Sequence, residues 1–477
     1  MKVLKFGGTS VQDEQAIGNV VRIIQSRCTE PLVVVISACA GVTNALLALL
    51  RTASEGKLPK AIRDLEALHD RHESIARKIL GKHRASEFTT LLRTDVGAIE
   101  KTLKKIAREA KVTDGQSDAV VSHGECWSSN ILTHALAENG IASVLVNATE
   151  YMVTTEDFTN ATPLFDIINV RAPEVVKPHL DAGTVVVTQG FVGISLHGRV
   201  TTIGRGGSDY SASIVGAALG AKEIEIWTDT DGILSADPRV VPAALSIQEI
   251  SVEEATELAH YGAKVIHPST LAPATESKIP VRILNSRNAH HPGTLVSHAH
   301  DAKYLGVKSV TGRKGVCSIA LRKNKQLNTV RFIHHIFDVL ERFKKGVEFV
   351  SSSESGVLLV TSDDKYNASL LGELRHHEGA EVFEQEAVVS VVGTYAQGET
   401  PIQSRVHAIL TGAGIPVHLS YEGISVHSTA FIIDAVDLER ALGLLHRELI
   451  ESHAASGVEE FSAWRLHHDS RAAASAM

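Results

Sequence analysis

Two textures alternate through the first 295 residues. Short apolar runs occupy residues 2–6, "PLVVVISA" (31–38), "IASVLVNA" (141–148), "GTVVVTQGFVG" (183–193), the start of "AKEIEIWTDTDGILSADPR" (221–239) and "IPVRILN" (279–285). Unbroken Val/Ile-rich runs of this length predict strands buried on both faces. Between them apolar positions recur at helical spacing, over roughly 13–27 and again after the turn "CAGVTN" (39–44). Residues 58–112 are charged, helical in period and poor in β-branched runs, and predict a helical insertion or lid. Strands alternating with helices predict an α/β fold, a mainly parallel sheet flanked by helices. In such sheets ligands bind outside the carboxyl ends of the strands. That singles out the turns GGTS, CAGVTN, GFVG, GRGGSD and TDTDG.

The pattern changes after about residue 298. Short strand-like runs, among them "GVCSIALRK", "VEFVSSSESGVLLVTS" and "AVVSVVGT", alternate with helical segments near 330–343, 365–377, 401–412 and 437–450. The order strand, helix, strand, strand, helix, strand occurs twice, which predicts two successive ferredoxin-like units. The Ala/Ser/His-rich stretch 454–477 predicts a frayed tail.

Composition narrows the function classes. A chain of 477 residues with 44% hydrophobic and 21% charged residues is an ordinary multidomain globular protein. A net charge of −8 without a basic run argues against non-specific nucleic-acid binding. No apolar stretch approaches the ~20 residues of a membrane span. "MKVLKFGG" enters a strand at once, without the apolar core of a signal peptide. Cys28, Cys39, Cys126 and Cys317 lack CxxC spacing, so neither zinc nor a disulfide framework is expected, and a reducing cytoplasm fits. The histidine doublets at 290–291, 334–335, 376–377 and 467–468 lack metal-ligand spacing and read as surface or loop residues.

The stretch "TTIGRGGSDYSASIVGAALG" (201–220) carries the candidate chemistry. Ser208 stands where a helix N-cap would, with Asp209 in the first turn. Glycines permit close backbone approach, and the N–H groups of a helix start attract anions. Arg205 adds a planar fork for carboxylate or phosphate. An acidic residue facing phosphates needs a cation between them, a lysine or a metal ion. The turn therefore reads as half of a phosphoryl-transfer site. Lys5, in "KFGGTS", is the candidate for the other half. The start is not a Walker A motif, and neither HRD nor DFG occurs.

"KFGGTSV" (5–11), "SACAGVTN" (37–44), "VSHGE" (121–125), "TQGFVG" (188–193), "GRGGSDYSA" (204–212), "WTDTDGI" (227–233), "DPR" (237–239) and "YGAKVIHP" (261–268) follow one another in an order and at spacings that resemble aspartokinase. The likeness spans 1–295 as an amino-acid kinase catalytic domain and 300–460 as a tandem ACT regulatory region, with 461–477 as a flexible tail. It implies transfer of the ATP γ-phosphoryl group to the side-chain carboxylate of L-aspartate. The product is 4-phospho-L-aspartate, the first step towards lysine, threonine and methionine. An aspartate side chain ordinarily titrates at about 3.9 and is already ionised near neutral pH, so no general base is needed. Alignment and charge neutralisation are.

Site roles follow from the same likeness. Lys5 and Asp209 become the catalytic pair. Thr43, Glu125, Arg205 and Ser208 hold the substrate, with Glu125 on its α-ammonium. Gly7, Gly8, Thr9 and Ser10 line the phosphate path; Thr228, Asp229, Asp231, Asp237, Arg239 and Lys264 line the nucleotide side. Mg²⁺ arrives with ATP, bound mostly by phosphates and water. Val347, Glu348, Ser352, Ser353 and Glu354 fall on the strand that resembles the effector site, with lysine the first candidate ligand. A homodimer or higher homo-oligomer through the ACT region is implied. One departure stands out. Lysine-inhibited relatives carry a glycine-containing loop before the first regulatory helix. "KNKQLNTVRFIHHIFDVL" has no glycine, is about three residues shorter, and places Arg331 and Phe332 there, so altered feedback is expected. Two rivals are a kinase of another acceptor and an amino-acid sensor with an inactive kinase half; "SHGE" and the intact Lys5, Glu125, Arg205 and Asp209 weigh against them.

Overall fold

A computed structural model describes residues 1–204, 206–263, 270–297, 306–322, 328–343, 346–362, 372–374, 380–394, 401–422 and 427–452. The chain forms two compact units. The first contains 1–233, 246–255 and 265–300, the second 234–245, 256–264 and the remainder. Two short segments expected in the catalytic half, 234–245 and 256–264, thus group with the C-terminal half.

The first unit is built on strands β1 (Lys2–Phe6), β2 (Leu32–Ile36), β3 (Ser143–Leu145), β4 (Val153–Thr154), β5 (Val185–Gln189), β6 (Val192–Ser195), β7 (Val200–Thr202), β8 (Glu223–Thr228), β9 (Glu249–Ser251), β10 (Val281–Asn285) and β11 (Thr294–Ser297). The main sheet runs β3-β5-β2-β1-β8-β10-β11-β9 and is parallel except between β10 and β11. Every residue of β2 and β5 is buried, as an unbroken apolar run demands. The run 183–193 is not one strand. It breaks after Gln189, where Phe191 takes a positive φ of 65°, and restarts as β6 in a small sheet ordered β4-β6-β7.

Helices α1 (Glu14–Arg27), α2 (Val42–Ser54), α3 (Leu58–Ile79), α4 (Lys82–Glu109), α5 (Asp114–Val121), α6 (His123–Glu138), α7 (Phe165–Asp181) and α8 (Gly207–Leu219) complete the layers. Asp13 caps α1 by accepting from Ala16 N at 2.8 Å. The 58–112 stretch is the pair α3 and α4. Leu65, Phe88, Leu92 and Leu103 share one buried core with Leu4 and Ile36 of the sheet. The pair is therefore an integral layer rather than a loose lid. Trp227, fully buried, stacks on Phe6 at 5.8 Å, as sheet packing would have it.

The second unit carries β12 (Gly306–Arg322), β13 (Phe349–Ser352), β14 (Gly356–Ser362), β15 (Ala380–Thr394), β16 (Leu419–Glu422) and β17 (Ser428–Asp434), with helices Thr329–Arg342, Ile402–Gly412 and Leu438–His446. All six strands form one antiparallel sheet, β13-β14-β12-β15-β17-β16. The two expected ferredoxin-like copies thus merge. The long strands β12 and β15 pair along most of their length and serve both halves. Phe332 is 2% exposed and belongs to the core with Ile319, Leu321 and Ile336, so its bulk fills the interior and not a ligand loop. Segment 234–245 is held in this unit by Ser235. Its carbonyl accepts from Val310 N at 2.8 Å, and its hydroxyl bonds His446 Nε2 at 2.8 Å.

Candidate active site

The carboxyl ends of the central parallel strands open onto a cleft of about 700 Å³ in the first unit. Lys5, Gly8, Thr43, Glu125, Ser208 and Asp209 all line it. Lys5 stands near the carboxyl end of β1, opposite Val35 of β2 and Ile226 of β8. A strand fixed on both sides gives the ammonium a rigid base.

Two helices begin at this cleft. Gly41 precedes α2 with φ +82°, and Gly206 precedes α8 with φ +75°. The left-handed backbone costs a residue with a side chain about 1–2 kcal/mol, so glycine is the residue of least strain. Neither helix has a side-chain cap, which leaves first-turn N–H groups to face an anion. Ser208 is the second residue of α8 rather than its N-cap; the glycine before the helix takes that place.

Asp209 enters the cleft from the first turn of α8. Lys5 Nζ stands 2.6 Å from Asp209 Oδ1, with Lys5 7% exposed. The contact is an ion pair without hydrogen-bond alignment, since Asp209 Oδ1 has no partner at that geometry.

Glu125 comes from the first turn of α6 and is 3% exposed. Burial pushes its carboxyl up to about 8, against a backbone hydrogen bond from Ala38 that pulls it down. Its Oε2 has no partner. Gly124 allows this approach, because a Cβ there would lie 2.8 Å from Ala38 Cβ. An orphaned buried carboxylate oxygen at a cleft is a place for an incoming cation.

Comparison with known proteins fits this geometry. Residues 1–285 match the amino acid kinase family, and residues 389–449 match an ACT domain. The chain is 32% identical over 459 residues to the lysine-sensitive aspartokinase 3 of Escherichia coli, covering 94% of this chain and 99% of that protein. The chain belongs to the aspartokinase family. The crystal structure of E. coli aspartokinase III with aspartate and ADP superposes with a TM-score of 0.79 at 31% identity, covering 94% of this chain and 99% of that one. An aspartate kinase from Clostridium acetobutylicum gives the same TM-score at 26% identity, covering 94% of this chain and 100% of that one.

Within this aspartokinase fold, Lys5, Gly8, Thr43, Glu125, Ser208 and Asp209 come together as expected, while Arg205 and Lys264 lie outside the described residues. Gly7 donates its N–H to Trp227 O at 3.1 Å, and Thr9 lies in the short helical turn Gly8–Val11. Ser10, expected on the phosphate path, is 2% exposed and its hydroxyl is spent on Ser286 at 2.8 Å. On the nucleotide side, Thr228 bonds Thr230 at the end of β8, and Asp229 is exposed. Asp231 accepts from Asn285 and Asn288. Asp237 and Arg239 sit in the second unit and pair with each other, Nε to Oδ1 at 3.0 Å.

The expected effector residues divide. Ser352, Ser353 and Glu354 are exposed around the β13–β14 turn. Val347 packs on the core, and Glu348 turns inward to an ion pair with Arg313. Of the histidine doublets, His290 and His291 lie in the loop between β10 and β11, where His291 is buried and accepts from Gly293 N; 376–377 and 467–468 lie outside the described residues. Burial pushes the thiols of Cys39 and Cys126 up to about 12, so neither is a nucleophile at neutral pH.

Sequence reasoning missed Asp118. Fully buried beside the cleft, it accepts from Thr159 N and from both N–H and hydroxyl of Thr202. It thereby anchors β7, the strand that leads into the turn before α8. Burial raises its carboxyl above the usual range. Its partners are 41 and 84 residues away, and "SDAVVSHGE" offers only the helical spacing of Asp118 and Glu125 as a hint.

Proposed function

We propose that the chain phosphorylates the side-chain carboxylate of L-aspartate with MgATP, giving 4-phospho-L-aspartate and ADP. One observation carries the reading. The orphaned carboxylate of Glu125 shares a cleft with the Lys5–Asp209 pair and two uncapped helix N-termini. That arrangement suits a small zwitterion beside a polyphosphate. Glu125 would take the substrate's α-ammonium, while Thr43 and Ser208 at the helix starts would receive carboxylate or phosphoryl oxygens. Arg205 would fork onto a substrate carboxylate.

The acceptor oxygen is already ionised, so the protein's task is to align it and to offset repulsion between two anions. Lys5 supplies the positive charge, and Asp209 holds it until the nucleotide arrives. Among the described residues no three acidic, histidine or cysteine side chains converge as a metal site. A magnesium ion keeps several waters and would arrive on phosphate oxygens, with Asp209 the residue able to orient it. Bound there, it would neutralise charge on the phosphates. Thr228, Asp229 and Asp231 are the residues of the first unit we assign to the nucleotide side.

The region 300–460 would be regulatory and would form a homodimer or higher homo-oligomer through its sheet edges, β13 and β16, which have no outer neighbour among the described residues. Lysine is the first candidate effector, because one relative is a lysine-sensitive aspartokinase and was crystallised with lysine. With Val347 and Glu348 engaged internally, we expect weaker or altered inhibition. The test is acyl-phosphate trapping by hydroxylamine with MgATP and L-aspartate, L-glutamate or no acceptor. Aspartate-dependent hydroxamate supports the reading; none with any acceptor refutes it. Tight lysine binding by calorimetry, with full inhibition, would remove the altered-feedback part.

A further inference from the structure

Arg71 lies in the second half of α3, in the stretch expected to be a lid, yet its side chain reaches back beneath the cleft. Nη1 donates to Ala40 O at 3.0 Å, and Nη2 donates to Gln12 O at 3.0 Å. These carbonyls belong to two different turns. Gln12 follows the helical turn Gly8–Val11 that carries part of the KFGGTSV motif, and Ala40 immediately precedes the glycine that starts α2. The same two turns are stitched by Ala40 N to Gly8 O at 3.0 Å and by Cys39 Sγ to Val11 O at 2.9 Å.

We propose that Arg71 is a positioning residue for phosphoryl transfer, setting the separation and the tilt of the two anion-facing turns. Three physical points support it. Val11 and Cys39 anchor the two turns in the core, but Gly8, Ala40 and Gly41 at their cleft-facing tips carry no side chain beyond a methyl, so hydrogen bonds must define the backbone there. In a trans peptide the C=O and N–H point opposite ways, so drawing the Ala40 carbonyl towards Arg71 turns the Gly41 N–H the other way. Ala40 and Gly41 both line the cleft. A planar guanidinium can also hold two carbonyls at a fixed angle, whereas an ammonium acts as a point charge. Together these make the α3–α4 layer a strut under the site. Arg71 acts through the turns and is not itself assigned contact with substrate.

The proposal rests on the phosphoryl-transfer reading, and its test separates the two. The parent chain, Arg71→Met and Arg71→Lys are compared in the hydroxamate assay. For Arg71→Met, kcat is expected to fall about 10- to 100-fold, the size of effect that a misplacement near 1 Å produces. KM values should move far less. Arg71→Lys should recover only part of the loss, and added ethylguanidinium should restore kcat in Arg71→Met. A lowered Tm with unchanged kcat per folded molecule would make Arg71 a structural anchor only and overturn the proposal. So would full recovery by lysine. Amide hydrogen exchange needs no turnover and stands even if the parent phosphorylates nothing. Arg71→Met should speed exchange at 7–12 and 38–44 selectively, and unchanged exchange there would overturn the tether.

Discussion

Replacing Glu125 by glutamine tests the buried carboxylate directly. The folded chain holds this carboxyl at about 8, against an ordinary value of 4.5. Between those two pH values the folded state keeps a proton that the unfolded chain has lost. Stability therefore falls as pH rises through the window, and the loss is complete just above pH 8. At about 1.4 kcal/mol per pKa unit, the ionised form costs the free protein on the order of 4–5 kcal/mol. Roughly 2 kcal/mol of that should develop between pH 6 and pH 8. An ammonium ion docking on Oε2 would reverse the cost by favouring the carboxylate. At pH 7 aspartate binding should then release close to one proton, about 0.9 by the same arithmetic, falling to about 0.1 at pH 9. Titration calorimetry in buffers of different ionisation enthalpy reads this number. In Glu125→Gln the proton release should vanish and aspartate affinity should drop sharply. The variant should also lose less denaturant resistance than the parent as pH rises from 6 to 8. A binding enthalpy independent of buffer in the parent at pH 7 would refute the reasoning. So would parent-like aspartate affinity in the variant.

Other expectations follow from the same geometry. Lys5→Met should cut hydroxamate formation by at least about 10²-fold while leaving the fold intact, since it removes the charge facing the phosphoryl group; circular dichroism checks the fold. Gly124→Ala adds a methyl 2.8 Å from Ala38 Cβ, so denaturant unfolding should show a loss of about 1–3 kcal/mol and the KM for aspartate should rise. Glu225 is 1% exposed and accepts from Lys2 at 3.0 Å, Arg27 at 3.2 Å and Trp227 Nε1 at 3.1 Å, in the half of β8 remote from the cleft. Glu225→Leu strands Trp227 Nε1, while Lys2 keeps Glu223 at 2.7 Å and Arg27 keeps access to water, so it should cost about 1–3 kcal/mol in stability with kcat per folded molecule unchanged.

Local pattern was enough to determine much of this protein. The β2 and β5 runs predicted buried parallel strands because a sheet covered on both faces leaves no polar positions along them. Lys5, Ser208 and Asp209 were legible because each sits within a few residues of glycines at a strand end or helix start, where the backbone itself makes the anion site, whereas Glu125 was named only through the likeness to aspartokinase. Helix α1 was readable from its apolar spacing. Tertiary structure decided the rest. Asp118 and Arg71 act on backbone groups many residues away, and no spacing in the chain encodes such pairings. The α3–α4 pair read as a helical insertion or lid because its exposed faces are charged; packing against helices α1, α2 and α6 decided that it is an inserted layer and not a lid. Ser10 and Phe332 were misjudged for the same reason: sequence gives a residue's type, but the direction of its side chain depends on what packs against it. The merged six-stranded sheet likewise follows from β12 pairing with β15, a hydrogen-bond ladder between segments separated by the helix Thr329–Arg342 and strands β13 and β14, and ladders of that range are fixed by the folded chain as a whole.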